Sequence, residues 1–163
     1  MAAEYSANAL QTVPANGPVI FSESPVPCNR GIIFHRDESG LFRLASPRVM
    51  GVPCRPCCCC VGNYPEAVYD VAFHANISVP GTPTAGTVEE IQLAIFIDGE
   101  EDPSSIMSFT PAAVDKFGNV GANILVSVPC ICGCSSVSVR NISTQPVNVR
   151  NANIVFDFAG IRR

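Results

Sequence analysis

Cysteines are the residues of this 163-residue chain that offer the most versatile chemistry. The chain has nine of them, in two short clusters and one separate position. The first cluster holds Cys54, Cys57, Cys58, Cys59 and Cys60, the second holds Cys130, Cys132 and Cys134, and Cys28 stands apart. Thiols form disulfides or bind soft metal ions. A chain of this length buries enough surface to fold without either, so the clusters need another explanation.

Three interpretations of the clusters compete. Disulfides within or between subunits are favoured, because an odd count leaves at least one thiol for an intermolecular bond and adjacent cysteines cannot all pair locally. A soft-metal centre of zinc, copper or iron–sulfur is the second, although only Cys54 and Cys57 have the standard Cys-x-x-Cys spacing. Reduced thiols without a role are the third. The sequence therefore predicts no cofactor, with metal binding as the alternative.

Other reactive groups give little support for catalysis. The two histidines, His35 and His74, each lie within an apolar strand pattern, and none of the common nucleophile, phosphate-loop or zinc-hydrolase motifs occurs. The chain is therefore predicted not to be an enzyme. One acidic run offers oxygen ligands for Ca²⁺, but a solvated turn is the favoured interpretation. The run comprises Asp98, Glu100, Glu101 and Asp102.

Composition excludes several classes of protein. The net charge is −4, only 15% of the residues are charged, and Arg162 and Arg163 are the only adjacent basic pair. Binding to nucleic acid through a polybasic surface is therefore not expected. No apolar run reaches the roughly 18 residues of a membrane helix, so no membrane span is expected. The first residues lack the basic and apolar regions of a secretory signal, so export by that route is not expected.

Hydrophobic residues alternate with period two through most of the chain, which predicts an all-β protein. Turn-forming residues separate the runs, as in a sandwich or barrel. Residues 17–163 are predicted to form one domain, and residues 1–16 an N-terminal arm that is either flexible or forms the first edge strand. The long runs are 68–77, 91–98, 120–128, 135–142 and 151–159, and the short ones are 18–22, 31–35 and 41–45.

The order of short motifs along the chain resembles the tumour-necrosis-factor-like jelly roll. The likeness is to complement-type globular heads, such as those of collagen-like spore-surface proteins and bacteriophage fibre tips. The chain departs from them in having no Gly-X-Y stalk and in its cysteine clusters. The resemblance implies two antiparallel sheets and a trimer around a three-fold axis. It rests on Glu4–Ala7, Pro18–Phe21, Asn29–Phe34, Gly40–Arg43, Tyr69–Phe73, Leu93–Gly99, Ser135–Asn141 and Ile154–Phe158.

The implied topology places the reactive segments together. Successive connections of a jelly roll alternate between its two ends, so both cysteine clusters and the acidic turn are predicted at one pole. The clusters are then expected within roughly 12 Å of each other, about two disulfide spans between Cα atoms. The sheet that faces the three-fold axis is expected to contain 18–22, 68–77, 120–128 and 151–159. Its expected contacts are Ala72, His74, Leu125 and either Val155 or Phe156.

The sequence therefore predicts a structural subunit of a trimeric assembly, on a spore surface or in a virion fibre or decoration. Clustered cysteines would reinforce the assembly covalently and link it into larger structures. Both settings assemble inside the producing cell, which fits the missing secretory signal. Two alternatives remain: a fibre tip that binds a receptor or glycan, and a metal-binding protein built on the cysteines.

Overall fold

A computed structural model describes residues 2–28, 31–46, 66–81, 88–128 and 133–162. These residues form antiparallel strands and one 3₁₀-helical turn, Pro103–Ser105, without an α-helix in the same ranges. The strands are β1 (Ala2–Ala7), β2 (Gln11–Val13), β3 (Glu23–Val26), β4 (Ile33–His35), β5 (Phe42–Ala45), β6 (Glu66–Ser78), β7 (Ile91–Ile97), β8 (Glu100–Glu101), β9 (Met107–Phe109), β10 (Gly118–Val128), β11 (Cys134–Asn141) and β12 (Val147–Arg162).

The strands build two sheets. The first sheet has the order β10-β6-β12-β1-β3, and β2 also pairs with β12. The second sheet has the order β4-β5-β11-β7-β8, and β9 also pairs with β7. Chain neighbours often lie in different sheets, so the chain crosses repeatedly between them. This arrangement is a jelly-roll β-sandwich, which confirms the predicted fold class.

Period-two burial is clearest in β6. Its inward side chains run from Ala67 through Tyr69 to Ile77 and are nearly all inaccessible to solvent, while the alternate positions face outward. This is the pattern of a sheet with one face in the core.

No helix in the described ranges is long and apolar enough to cross a bilayer.

Aromatic rings join the two sheets at Phe42. The Phe42 ring centroid lies 4.9 Å from that of Tyr5, 4.8 Å from Phe156 and 5.2 Å from Phe21. Tilted and edge-on packing of this kind contributes about 0.5–1.5 kcal/mol per pair beyond the apolar area that it buries. The cluster therefore fixes the spacing between the first and second sheets.

Two predicted elements differ in the structure. The N-terminal segment is not an edge strand, because β1 lies between β12 and β3 and buries Ala3 and Tyr5 in the core. Residues 18–22 are not a strand of the first sheet. They make only isolated bridges, Pro18 with Arg140 and Phe21 with Ser39, and those partners belong to or adjoin the second sheet.

Phe156 is a core residue and cannot be the subunit contact suggested for it. Its side chain is fully buried and packs on Phe42, whereas the neighbouring Val155 lies on the outward face of β12. Of the two alternatives that the sequence left open, only Val155 is accessible from outside the sandwich.

Replacing Phe156 by alanine is expected to lower the free energy of unfolding by about 3–5 kcal/mol, because it leaves a cavity between the sheets. Leu41→Ala is the control, with an expected change within about 0.5 kcal/mol, since that side chain is 50% exposed and precedes β5 in the second sheet. Urea denaturation in reducing buffer, at one concentration for both variants, measures the difference. Equal, small effects would contradict the core assignment of Phe156.

Candidate functional site

The strands that flank the two cysteine clusters end side by side. In the second sheet, Ala45 at the end of β5 pairs with Cys134 at the start of β11. The Ser46 amide also donates to the Gly133 carbonyl oxygen at 3.1 Å. Both cluster-bearing connections therefore meet the second sheet at the same place.

The first sheet repeats this arrangement. Val128 at the end of β10 pairs with Ala67 at the start of β6, and the Ser127 hydroxyl donates to the Glu66 carboxylate at 2.7 Å. We call this end of the sandwich, defined by Ala45, Glu66, Val128 and Cys134, the cysteine pole. Both connections that carry the clusters have their ends here. Cys54, Cys57, Cys58, Cys59, Cys60, Cys130 and Cys132 lie outside the described residues, so the distance between the clusters stays a prediction.

The acidic turn lies at the same pole. Asp98 and Gly99 both have positive φ, 52° and 87°, which is the conformation of the tight turn that joins two antiparallel strands. The Asp98 amide donates to the Ser136 carbonyl oxygen at 2.9 Å. The Asp98 carboxylate accepts the Ser136 amide at 2.7 Å, two residues beyond Cys134.

The carboxylates of this turn serve the local backbone. Asp98 anchors β11, and Asp102 accepts the Ser104 amide at 2.8 Å as the cap of the 3₁₀ turn. Glu100 and Glu101 are exposed on β8. Among the residues described, no three histidine, cysteine or acidic side chains lie close enough to hold a metal ion. A capped, solvated turn accounts for this acidic run.

Cys28 belongs to the same end of the molecule, although it stands apart in the sequence. Burial raises the pKa of Tyr69 well above its ordinary value, and the nearby Cys28 raises it further. Burial and Cys28 also raise the pKa of Tyr5. The Tyr69 hydroxyl donates to the carbonyl oxygen of Ala45, whose residue is the β5 end of the cysteine pole. Cys28 therefore lies near Tyr69, whose hydroxyl reaches the β5 end of this pole, and it packs against the core.

The two histidines lie in different surroundings. The His35 ring stacks on Phe42 with centroids 4.4 Å apart, and its Nε2 lies 2.9 Å from the Ser39 carbonyl oxygen. That contact requires the proton on Nε2. His74 is exposed on β6, opposite Asn153 and Gly121.

The outward side chains of β10, β6 and β12 form a second candidate surface, which we call the outer face. Its apolar members are Leu125, Ala72 and Val155. Leu125 is 67% exposed, the largest value among the described large hydrophobic residues. Of the expected contacts, Ala72, His74, Leu125 and Val155 are accessible on this face, and Phe156 is not.

The sequence reasoning missed two acidic members of the outer face. Asp70 on β6 pairs with Asp157 on β12, and its neighbour on β10 is Leu125. The alternation along β6 already indicated that Asp70 faces outward, because Asp70 lies two residues from the outward-facing Ala72. The pairing with Asp157 depends on the strand register, which the sequence does not display.

A groove of about 460 Å³ lies between β2 and residues 18–22. Its walls include Leu10, Pro14 and Ile20. The one amide in its lining, that of Gln11, binds both the amide and the carbonyl oxygen of Ile20 at 2.9 Å. The other polar side chains of the groove are Thr12, Ser22 and Glu38.

No family model and no curated protein matches the chain. Solved structures do. The tumour necrosis factor Eiger of S. frugiperda aligns with a TM-score of 0.61 at 10% identity, over 100% of this chain and 92% of its own. Pika GITRL aligns at 0.43 and 12% identity over 97% and 96%, and a family 35 carbohydrate-binding module of Clostridium thermocellum at 0.36 and 13% over 94% and 97%. The fold is therefore a TNF-like jelly roll.

Tyr69→Phe is expected to lower the free energy of unfolding by about 1–3 kcal/mol near neutral pH, because the Ala45 carbonyl loses its donor. The folded state also favours the neutral phenol, since the pKa of Tyr69 is raised. This stabilisation is complete below the ordinary tyrosine pKa of about 10 and is lost as the pH rises toward the folded-state value.

Denaturation curves between neutral and strongly alkaline pH measure both effects. The wild type should lose more stability than Tyr69→Phe on passing above about pH 10. The tyrosinate absorbance band provides an independent reading, in which Tyr5 and Tyr69 should titrate later than a free tyrosine. Parallel pH profiles for the two proteins would contradict the role given to Tyr69.

Proposed function

We propose that this protein is a non-enzymatic structural subunit of a homotrimeric surface assembly. Copies associate through the outer face, and the clustered cysteines lock the assembly covalently. The trimer follows from the resemblance to TNF-like heads, and the surface is chosen from the exposed residues of this chain.

The observation that carries the proposal is the character of β10. This strand forms one edge of the first sheet and has eleven residues, Gly118–Val128, without a charge or a proline. β9 lies beside its first residues, so only the later part of the strand counts as a bare edge. Edge strands that remain open to water usually carry charges or prolines or are very short, because a long bare edge promotes pairing with another chain. The other edges follow that rule. β3 carries Glu23 and Pro25, β4 has only three residues, and β8 consists of Glu100 and Glu101.

The apolar side chains beside this edge support the same surface. Leu125, Ala72 and Val155 occupy adjacent strands of the outer face. An exposed apolar group of this kind, bordered by polar residues, is typical of a protein contact. A second copy packed against this side of the first sheet would take the apolar surface out of water and would border the edge that β10 forms.

The cysteine pole supports covalent locking. Both cluster-bearing connections begin and end beside each other, and Cys28 lies near the same end. Cysteines gathered at one end of a subunit are suited to disulfides that bridge neighbouring loops or subunits. Cross-links between copies prevent dissociation, so the stability of the assembly no longer depends on protomer concentration.

The proposed setting is a spore surface or a virion. Both are built inside the producing cell and later exposed to oxidising surroundings, where disulfides persist. Cross-linking would then follow assembly. Detection of the protein on purified spores or virions, with its disulfides intact, tests this part of the proposal.

Leu125→Arg is expected to convert a trimer into monomers in reducing buffer, because it places a charge in the apolar centre of the contact. Light scattering at micromolar concentration measures the mass. Leu41→Arg is the matched control, since Leu41 is 50% exposed but precedes β5 in the second sheet. A monomeric wild type, or equal disruption by both variants, would overturn the proposed interface.

Oxidised protein is expected to show covalent multimers that revert to single chains with reductant. Intact-mass measurement with and without reductant detects them, and each disulfide lowers the mass by about 2 Da relative to its thiols. Elemental analysis of protein purified without chelator distinguishes the metal-binding alternative. Stoichiometric zinc, copper or iron together with fully reduced cysteines would contradict the cross-linking proposal.

A further inference from the structure

A run of three apolar residues lies exposed at one edge of the first sheet. Pro25, Val26 and Pro27 are all accessible to solvent, and Val26 is 45% exposed. Every residue of β3 is exposed, so this strand adds no buried side chain to the core. Consecutive exposed apolar residues are out of place on a soluble protein unless they serve a contact. We call residues 25–27 the proline ridge.

The proline ridge and Leu125 lie at opposite edges of one sheet and on the same side of it. β3 is the last strand at one edge and β10 at the other, four strand spacings or about 19 Å apart. Val26 begins an outward-facing row that crosses the sheet and ends two residues before Leu125. The row consists of Val26, Glu4, Val155, Ala72 and Asn123. The two apolar sites are therefore within about 7 Å of the same height along the strands, but too far apart to touch within one chain.

A ring of three copies needs two different contact sites on each copy. A three-fold axis generates a head-to-tail contact, in which a site on one copy meets another site on the next. Rotation about an axis that runs along the strands preserves the height of every residue, so it brings together opposite edges of the sheet at one height. Leu125 lies on an edge strand, away from such an axis, and requires a partner other than Leu125 of another copy. The proline ridge is placed to be that partner.

The chemistry of the proline ridge favours packing through side chains over strand pairing. Pro25 and Pro27 have no amide hydrogen, so this edge cannot complete a hydrogen-bonded ladder with another strand. Their rings also fix the backbone angle φ, which lowers the conformational entropy lost when the ridge is covered. Val26 lies between them and faces outward, opposite Glu4. A rigid apolar ridge of this kind fits beside the exposed Leu125 on the later part of β10.

Charged groups do not oppose this contact. β10 carries no charge, and Glu23, the one charged residue of β3, accepts hydrogen bonds from Ser6 and Asn8 at 3.1 and 2.8 Å. Glu4 and Asp70 each lie one strand inside their edges. Three strand spacings, about 14 Å, then separate these carboxylates across the contact. That separation is longer than the screening length of about 8 Å at physiological ionic strength.

We propose that the proline ridge of one copy packs against Leu125 of the next and so closes the ring of three copies. The inference rests on the proposed function and names the part of the second copy that covers the Leu125 side of the outer face. The partner is another copy of this chain, joined head to tail, and the same contact occurs three times in the trimer.

A charge swap tests the contact in reducing buffer. Val26→Glu alone is expected to raise the dissociation constant at least about tenfold, because it places an unpaired charge in the contact. Leu125→Arg alone should also weaken association. The double variant Leu125→Arg with Val26→Glu is expected to associate at least about tenfold more tightly than either single variant, since the two opposite charges then face each other. Sedimentation equilibrium measures the dissociation constants.

The matched control combines Leu125→Arg with Leu41→Glu. Leu41 is 50% exposed but precedes β5 in the second sheet, so this variant has the same net charge as the swap without a counter-charge at the contact. It should associate as weakly as Leu125→Arg, and Leu41→Glu alone should match the wild type. Circular dichroism verifies that each variant folds. The reversed pair, Leu125→Glu with Val26→Lys, replaces a variant that does not fold.

Two results overturn the inference and leave the proposed function standing. One is a folded Val26→Glu protein that associates with the dissociation constant of the wild type. The other is a charge-swapped double variant that associates no more tightly than the control that carries Leu41→Glu. A wild type that stays monomeric at micromolar concentration refutes the proposed function, and the inference with it.

Discussion

The antiparallel pairing of β6 with strands on both sides is the constraint on which the rest of the molecule depends. β6 pairs with β10 from Ala67 to Ile77 and with β12 over nearly its whole length. Because side chains alternate between the two faces of a sheet, this register decides which residues enter the core and which lie outside. The same pairing brings the ends of β6 and β10, and with them both cysteine-bearing connections, to one pole. Core, outer face and pole are thus consequences of one register.

The long strands were predictable because they bury one face against a second sheet. The alternation in residues 68–77 and 120–128 reports that burial directly. The short elements were not predictable from the same signal. β3 is exposed along its whole length and shows no alternation, while Val19 and Phe21 are buried without belonging to a regular strand. Burial and strand pairing are separate properties, and hydrophobic periodicity reports only the first.

The two halves of β12 place opposite positions in the core. Before the register shift in β12, Val147 and Val149 face the core, and after it Ile154 and Phe156 do. The shift falls between Arg150 and Asn153, where Asn151 has a φ of 50°. An extra residue at a bulge exchanges inward and outward positions, so counting along the strand gives the wrong face beyond it. The location of the cysteine pole, in contrast, follows from topology alone and is insensitive to such shifts.

In the proposed assembly, the outer face provides the reversible contact between copies and the cysteine pole provides the covalent one. A contact through the outer face gains from the burial of Leu125 but loses from the desolvation of the polar and charged side chains that share the face, so its net strength is modest. Once a disulfide joins two copies, the remaining contact becomes intramolecular, with an effective concentration that for short links is in the millimolar range. A contact of modest affinity through the outer face is then sufficient to hold the assembly together. A reversible contact followed by a covalent one also permits misassembled copies to separate before they are locked, which a strong apolar face would prevent.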